Sequence, residues 1–197
     1  MKTRIVMATG NAGKIRELSA VLSSAEVELI AQTDLNVPDV EEAGQTFVEN
    51  AIIKARNAAK VTGLPAIADD SGIEVDFLNG EPGIHSARYG GIDATDIDNN
   101  LKLLAKLKGI PEAQRSARFQ CLLVYIHHAA DPTPLICQGT WEGIVLDAPH
   151  GDNGFGYDPL FYVPTHKCSA AELAPVVKNQ ISHRGIALHI FKDQFVV

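Results

Sequence analysis

Two adjacent carboxylates close an apolar run in Ala66-Ile67-Ala68-Asp69-Asp70-Ser71-Gly72. The run reads as a buried strand, and charge at the end of a buried strand is costly unless it is paired or holds a metal. Side chains alternate between faces along a strand, so Asp69 and Asp70 diverge for as long as the strand lasts. With the strand ending at the aspartates and Gly72 free to turn, Asp70 and Ser71 enter a cleft, while Asp69 braces the turn or joins a metal site. A plain Asx turn accounts for the same residues equally well.

Other chemistry-bearing residues occur in four groups. Thr9-Gly10-Asn11-Ala12-Gly13-Lys14 lies between an apolar strand and a helical pattern. Such a loop can aim backbone N–H groups and a helix start at an anion, with Lys14 adding a point charge; taken alone, a simple strand-to-helix turn with Asn11 and Gly13 in unusual dihedrals fits it slightly better. Only two residues separate its glycines and Ile15 follows the lysine, so it is neither a Walker A loop nor a dinucleotide fingerprint. Glu41 and Glu42 precede a helix, either as partners of its positive end or as oxygen ligands for Mg²⁺. Asn50 and Lys54, four apart on that helix, can reach the same cleft. In Gly154-Phe155-Gly156-Tyr157-Asp158 an aromatic flanked by glycines is poorly placed for a core and well placed to stack on a base, which the sequence favours modestly over a loop aromatic plugging the sheet end. Lys178, His183 and Arg184 are clustered donors, the last two in the first turn of the terminal helix, where positive charge opposes the helix dipole.

The elements that carry these groups follow from apolar periodicity. Arg4–Ala8 and Val27–Ala31 read as strands flanking a helix in which Ile15, Leu18, Val21 and Leu22 recur at helical spacing. Thr46 and Glu49 form a capping-box pair, starting a helix that stops at Gly63 with Phe47, Ala51, Ala55, Ala58 and Val61 inward. Ile73–Leu78 reads as the second strand of a hairpin-like pair. Thr95–Leu107 is an amphipathic helix, with Leu101, Leu104 and Leu107 inward and no chemistry assigned. Arg118–Ile126 and Leu135–Leu146 are strands, the second interrupted by Gly139 and Gly143. Ser169 and Glu172 make another capping box, which Pro175 interrupts before the terminal helix. The strands and helices together read as α/β, and the strand-turn-strand character from Arg118 to Leu146 suggests an antiparallel lobe appended to the nucleotide-side lobe.

Composition narrows the function. A 197-residue chain with 46% apolar residues supports a sizeable core, and a net charge of -7 disfavours sequence-independent nucleic-acid binding. A polyphosphate ligand must therefore be met by a local basic pocket or by metal ions. No run is long enough to span a membrane and no signal peptide precedes the first strand, so a cytoplasmic setting is expected. Cys121, Cys137 and Cys168 are odd in number and scattered, and Cys121 belongs to a core run. Phosphate loop, carboxylates, stacking plate and edge donors together describe a site for a nucleotide with Mg²⁺.

The motifs at 9–14, 41–51, 68–72, 82–88, 154–159 and 182–185 together resemble the inosine/xanthosine triphosphate pyrophosphatase family of the bacterial RdgB type, in that family's order and across nearly the whole chain. The resemblance implies an α/β fold with an elongated mixed sheet flanked by helices, one domain over 1–197 in two lobes with the active-site cleft between them. It also implies hydrolysis of ITP, dITP and XTP to monophosphate and pyrophosphate, Mg²⁺ as cofactor, and a homodimer without nucleic-acid or membrane partners. It implies that Thr9 to Lys14 hold the triphosphate and that Asp70 is the general base. Glu42 and Asp70, with Asp69, form the expected metal site, and Ser71 contacts substrate. Phe155, Gly156, Tyr157, Asp158, Lys178, His183 and Arg184 frame the base. A 6-oxo purine offers an acceptor to such donors where adenine offers a 6-amino group. Two positions depart from the family pattern: Pro175-Val176-Val177 replaces acidic residues, and Asn153 replaces a common glycine. A nucleotide-binding regulator without turnover, and a pyrophosphatase for other modified nucleotides, are the competing readings.

Overall fold

The computed structural model describes residues 3–22 and 27–195. In chain order, β1 (Thr3–Met7), α1 (Ala12–Leu22), β2 (Val27–Ala31), α2 (Phe47–Thr62) and β3 (Ala66–Val75) are followed by α3 (Asp96–Lys106). Then come β4 (Ser116–Ile126), β5 (Leu135–Val145), β6 (Phe161–Val163), β7 (Cys168–Ser169), α4 (Pro175–Ile181) and α5 (His183–Gln194). The strands form one mixed sheet in the order β2-β1-β3-β4-β5-β6-β7. β1 is parallel to β2 and β3, whereas β6 is antiparallel to β5 and β7. The α/β expectation holds.

The chain divides into two compact units. The first runs to Asp70 and includes Cys121–Gly139 and the chain from Arg184 onward. Its strands obey the period of two. Ile5, Met7 and Ile67 pack with Leu18 and Leu22 of α1 and Leu188 and Phe191 of α5. Val6, Ala8, Ala66 and Ala68 pack on the opposite face against Ala51, Ala55 and Ala58 of α2. The small side chains let α2 lie close to the sheet. Thr46 caps α2 by accepting from the Glu49 N–H, and Gly63 closes it in the left-handed conformation at φ +70°. Cys121 is buried, and burial pushes its thiol up to about 12, as befits a packing residue.

The second unit comprises Ser71–Gln120 and Thr140–His183, with a core of Ile73, Val75, Leu103, Phe119, Trp141 and Phe161. Several sequence expectations are corrected. β3 does not end at the aspartates: it runs unbroken through Ser71 and Gly72 to Val75, so Ile73–Leu78 is no hairpin partner. Apolar residues resume on both sides of the polar quartet, and buried packing overrides its turn chemistry. Gly143 does not interrupt β5; a Cβ there would lie 2.5 Å from the Phe161 ring, so the glycine admits that ring. Leu101 and Val61 are exposed, and Leu103 and Ala59 are buried instead. On α3 the inward stripe is Asn99, Leu103 and Leu107, four apart, with Asn99 completing it by hydrogen bonds rather than apolar contact. Pro175 does not interrupt but opens α4 at its first turn, where a missing N–H costs nothing.

Candidate active site

Because β3 continues through Asp69 and Asp70, strand alternation sends them to opposite faces and different partners. Asp69 shares the face of Ile67 and meets α1 and α5. Its Oδ2 accepts from Arg184 Nε at 3.2 Å and Nη2 at 3.0 Å, and Lys14 Nζ lies 3.1 Å away. Arg184 Nη1 also donates to Glu17 of α1. Burial alone would raise the Asp69 carboxyl, but Lys14, Arg184 and Lys54 hold it well below the usual carboxylate range. Arg184 is only 2% exposed, and its Nε, Nη1 and Nη2 each donate to a carboxylate.

Asp70 faces α2. Lys54 Nζ donates to Asp70 Oδ1 at 2.8 Å and lies 3.0 Å from Glu42 Oε1. Burial pushes the Asp70 carboxyl up, against the pull of Lys54. Asp70 Oδ2 is buried and has no hydrogen-bond donor, as is Asp69 Oδ1. The other residue of the α2 pair, Asn50, serves structure: its Oδ1 accepts from the Gly44 N–H and shapes the entry to the helix.

The 9–14 loop is stapled by its own asparagine. Asn11 Oδ1 accepts from the N–H groups of Gly13 at 2.8 Å and Lys14 at 3.1 Å, while the Asn11 N–H donates to Thr9 Oγ1. Asn11 thus caps α1, and Lys14 supplies the loop's charge on Asp69.

Three cations, Lys14, Lys54 and Arg184, face four carboxylates, Glu17, Glu42, Asp69 and Asp70, in this unit. The set is therefore net negative by one charge, and a polyphosphate brought to it requires added positive charge. Orphaned carboxylate oxygens on Asp69 and Asp70 are the hard oxygen donors that a divalent cation takes. No three His, Cys, Asp or Glu side chains converge in metal-holding geometry among the described residues; Glu42 and Asp70 converge as a pair on Lys54.

In the second unit the Phe155 loop is built on Asp158. Its Oδ2 accepts from the Phe155 N–H at 2.9 Å and from Lys178 Nζ at 2.6 Å, and Lys178 Nζ lies 5.0 Å from the Phe155 ring centroid. Asp158 and Lys178 are both buried. Gly154, at φ +79°, has no room for a Cβ, which would fall 2.0 Å from Asp158 Oδ2. Tyr157 points away from the loop surface, its hydroxyl donating to the Ser86 carbonyl at 2.8 Å. His183 stacks on Phe119 at 4.7 Å between centroids and 11° between planes, with Trp141 at 6.3 Å.

A match over residues 5–194 to the Ham1 family model brackets all of these groups. The chain belongs to the Ham1 family. It is 60% identical over 190 residues to the dITP/XTP pyrophosphatase of Vibrio cholerae, covering 96% of this chain and 95% of that one. It is 58% identical to the Escherichia coli K12 protein of the same name, covering 96% of each chain. A HAM1 protein from Coxiella burnetii superposes with a TM-score of 0.90 at 51% identity, covering 97% of each chain.

The two departures from the pattern are absorbed locally in this Ham1 chain. Pro175 begins α4 and Lys178 still reaches Asp158; Val176 is exposed. Asn153 ties its loop down, its N–H donating to the Ala171 carbonyl at 3.0 Å and its side chain to Leu173. Sequence reasoning missed Glu17, Phe119, Trp141, Asp96 and Asn100. Glu17 was findable as the residue one turn after Lys14. The aromatic partners of His183 come from distant strands and leave no local signal.

Proposed function

We propose that this Ham1 chain hydrolyses dITP, ITP and XTP to the monophosphate and pyrophosphate. The observation that carries the reading is Asp70: a carboxyl raised by burial, with Oδ1 fixed by Lys54 and Oδ2 buried without a donor. Water attacks the α-phosphorus, Asp70 Oδ2 takes its proton, and the bond to the bridging oxygen breaks as pyrophosphate leaves. A base with a raised pKa is better matched to that transfer near neutral pH. Glu42 and Asp70 would hold Mg²⁺, which would supply charge neutralisation and acidify the attacking water; Asp69, on the opposite face of β3, is engaged by Arg184 and Lys14 instead. Lys14 and Lys54 supply the protein's own positive charge for the triphosphate, alongside the 9–14 backbone. Ser71, next on the strand, contacts substrate.

For the base, Phe155 is the stacking plate and Gly156 its flank, with Asp158, Lys178 and His183 supplying polar edges. The buried polar edges make discrimination against a 6-amino purine large, since the wrong group leaves them unpaired. Arg184 acts here through Asp69. The family resemblance further supports a homodimer working on the cytoplasmic nucleotide pool; no helix among the described residues is long and apolar enough to cross a membrane.

The test is pyrophosphate release from ITP, XTP, GTP and ATP, each with Mg²⁺ and with EDTA. Mg²⁺-dependent release from ITP and XTP alone supports the reading. Release from all four removes the base selection, and full activity in EDTA removes the metal.

A further inference from the structure

Gly156 is gripped at both ends by a single helix. Its N–H donates to Asp96 Oδ2 at 2.7 Å, and its carbonyl accepts from Asn100 Nδ2 at 2.9 Å. Asp96 and Asn100 are four apart on α3 and so share one face. An acidic residue in a first helical turn needs no distant partner to complement the dipole, yet this one reaches a backbone amide 60 positions away. Asn100 also carries a cost: its Oδ1 is buried without a hydrogen-bond partner. Crowding does not hold Gly156 in place. It sits at φ +62°, and a Cβ there would meet nothing within 4 Å. Glycines at 154 and 156 leave the peptide on either side of Phe155 free to sample both signs of φ unless something ties it.

We infer that Asp96 and Asn100 are positioning residues for the Phe155 ring, a clamp that presets the plate against which the purine stacks. The inference rests on the stacking role proposed above for Phe155. Asp158 fixes the N–H of Phe155 from one side and α3 fixes Gly156 from the other, so the ring enters binding with its backbone already ordered. Preorganisation of this kind appears in affinity, because the ordering cost is removed from the binding step. The clamp consists of hydrogen bonds to the Gly156 backbone and includes no group assigned to proton transfer, so its loss is read in KM and not in kcat.

The experiment is a double-mutant cycle read in KM and kcat for ITP with Mg²⁺. Asp96→Ala and Asn100→Ala each raise KM about two- to ten-fold, the worth of one net hydrogen bond, with kcat unchanged. Asp96→Asn, which keeps an acceptor for the Gly156 N–H, restores KM. Asn100→Asp turns a donor into a carboxylate facing a carbonyl and raises KM at least as much as Ala. Phe155→Ala raises KM about ten-fold or more by loss of stacking. In that background the clamp variants add nothing further, because there is no ring left to position. Full additivity, or a fall in kcat at constant KM, overturns the clamp while leaving stacking intact. An unchanged KM in Phe155→Ala alone overturns the stacking role, and the clamp with it.

Discussion

Arg184→Met separates an anchoring arginine from a base-reading one. The substitution keeps an apolar stem of similar length and deletes the guanidinium. Three charge-assisted hydrogen bonds go with it, two to Asp69 and one to Glu17. Asp69, whose side chain has no exposed surface, keeps its ion pair with Lys14 and the more distant pull of Lys54. Removing one member of a buried pair costs about 3–5 kcal/mol, because the remaining charge is uncompensated. Each kcal/mol moves the melting temperature of a domain of this size by about 2–4 °C, so the expected drop is about 6–20 °C. Asp69→Asn in the Arg184→Met background removes the stranded charge and recovers part of the loss. The pH dependence has a defined sign. In the parent protein the Asp69 carboxyl is depressed, so its stabilisation is present above its unfolded pKa and is lost as pH falls through the folded value. Without Arg184 the folded pKa moves up, and the deficit relative to the parent narrows on acidification. Arg184→Lys fails to restore stability fully, since an ammonium cannot fork across two carboxylates. The assay is thermal unfolding by circular dichroism from pH 4 to 8, alongside kcat/KM for ITP and ATP. An unchanged melting temperature together with a collapsed ITP preference would refute the anchoring role and return Arg184 to the base.

Asp70→Asn lowers turnover about 10²- to 10⁴-fold, the usual worth of a general base, while nucleotide binding survives. It also raises the melting temperature at neutral pH: burial raises this carboxyl, so the charged form costs stability above the folded pKa and an amide removes that cost. Near-normal turnover, or a lower melting temperature, contradicts the assignment. Gly154→Ala forces a Cβ to 2.0 Å from Asp158 Oδ2 and places a side chain at φ +79°. The backbone strain alone costs about 1–2 kcal/mol, and the displaced carboxylate loses hold of Lys178 and the Phe155 N–H. KM for ITP rises and the protein melts earlier; a KM within two-fold of the parent's would mean that Asp158 does not set the loop.

The local devices were legible because each is written within one turn or one strand. Thr46 with Glu49 and Gly63 bound α2 where the cap residues predict, and the alanine stripe of that helix meets the sheet. The Pro175 reading failed because a proline that ends one pattern is equally suited to begin the next, and only the following packing of Lys178 decides which. Long-range partners left no such trace. His183 stacks on residues from β4 and β5, and α3 holds a loop that follows it by some fifty residues.

The aspartate pair shows how one misjudged boundary changes chemistry. If the strand stopped at Asp69, both carboxylates could turn into one cleft and share one ion. β3 instead continues to Val75, and the period of two enforces a division of labour. Asp69 falls on the α1 and α5 side, where it accepts from Arg184. Asp70 falls on the α2 side, where Lys54 and Glu42 accompany it. The two neighbours consequently shift in opposite directions: the one surrounded by cations is held ionised as an anchor, and burial pushes the other up against the pull of its lysine. Opposite shifts on adjacent carboxylates are what separate acid–base roles. Here the separation follows from nothing more than the strand's refusal to turn at Gly72.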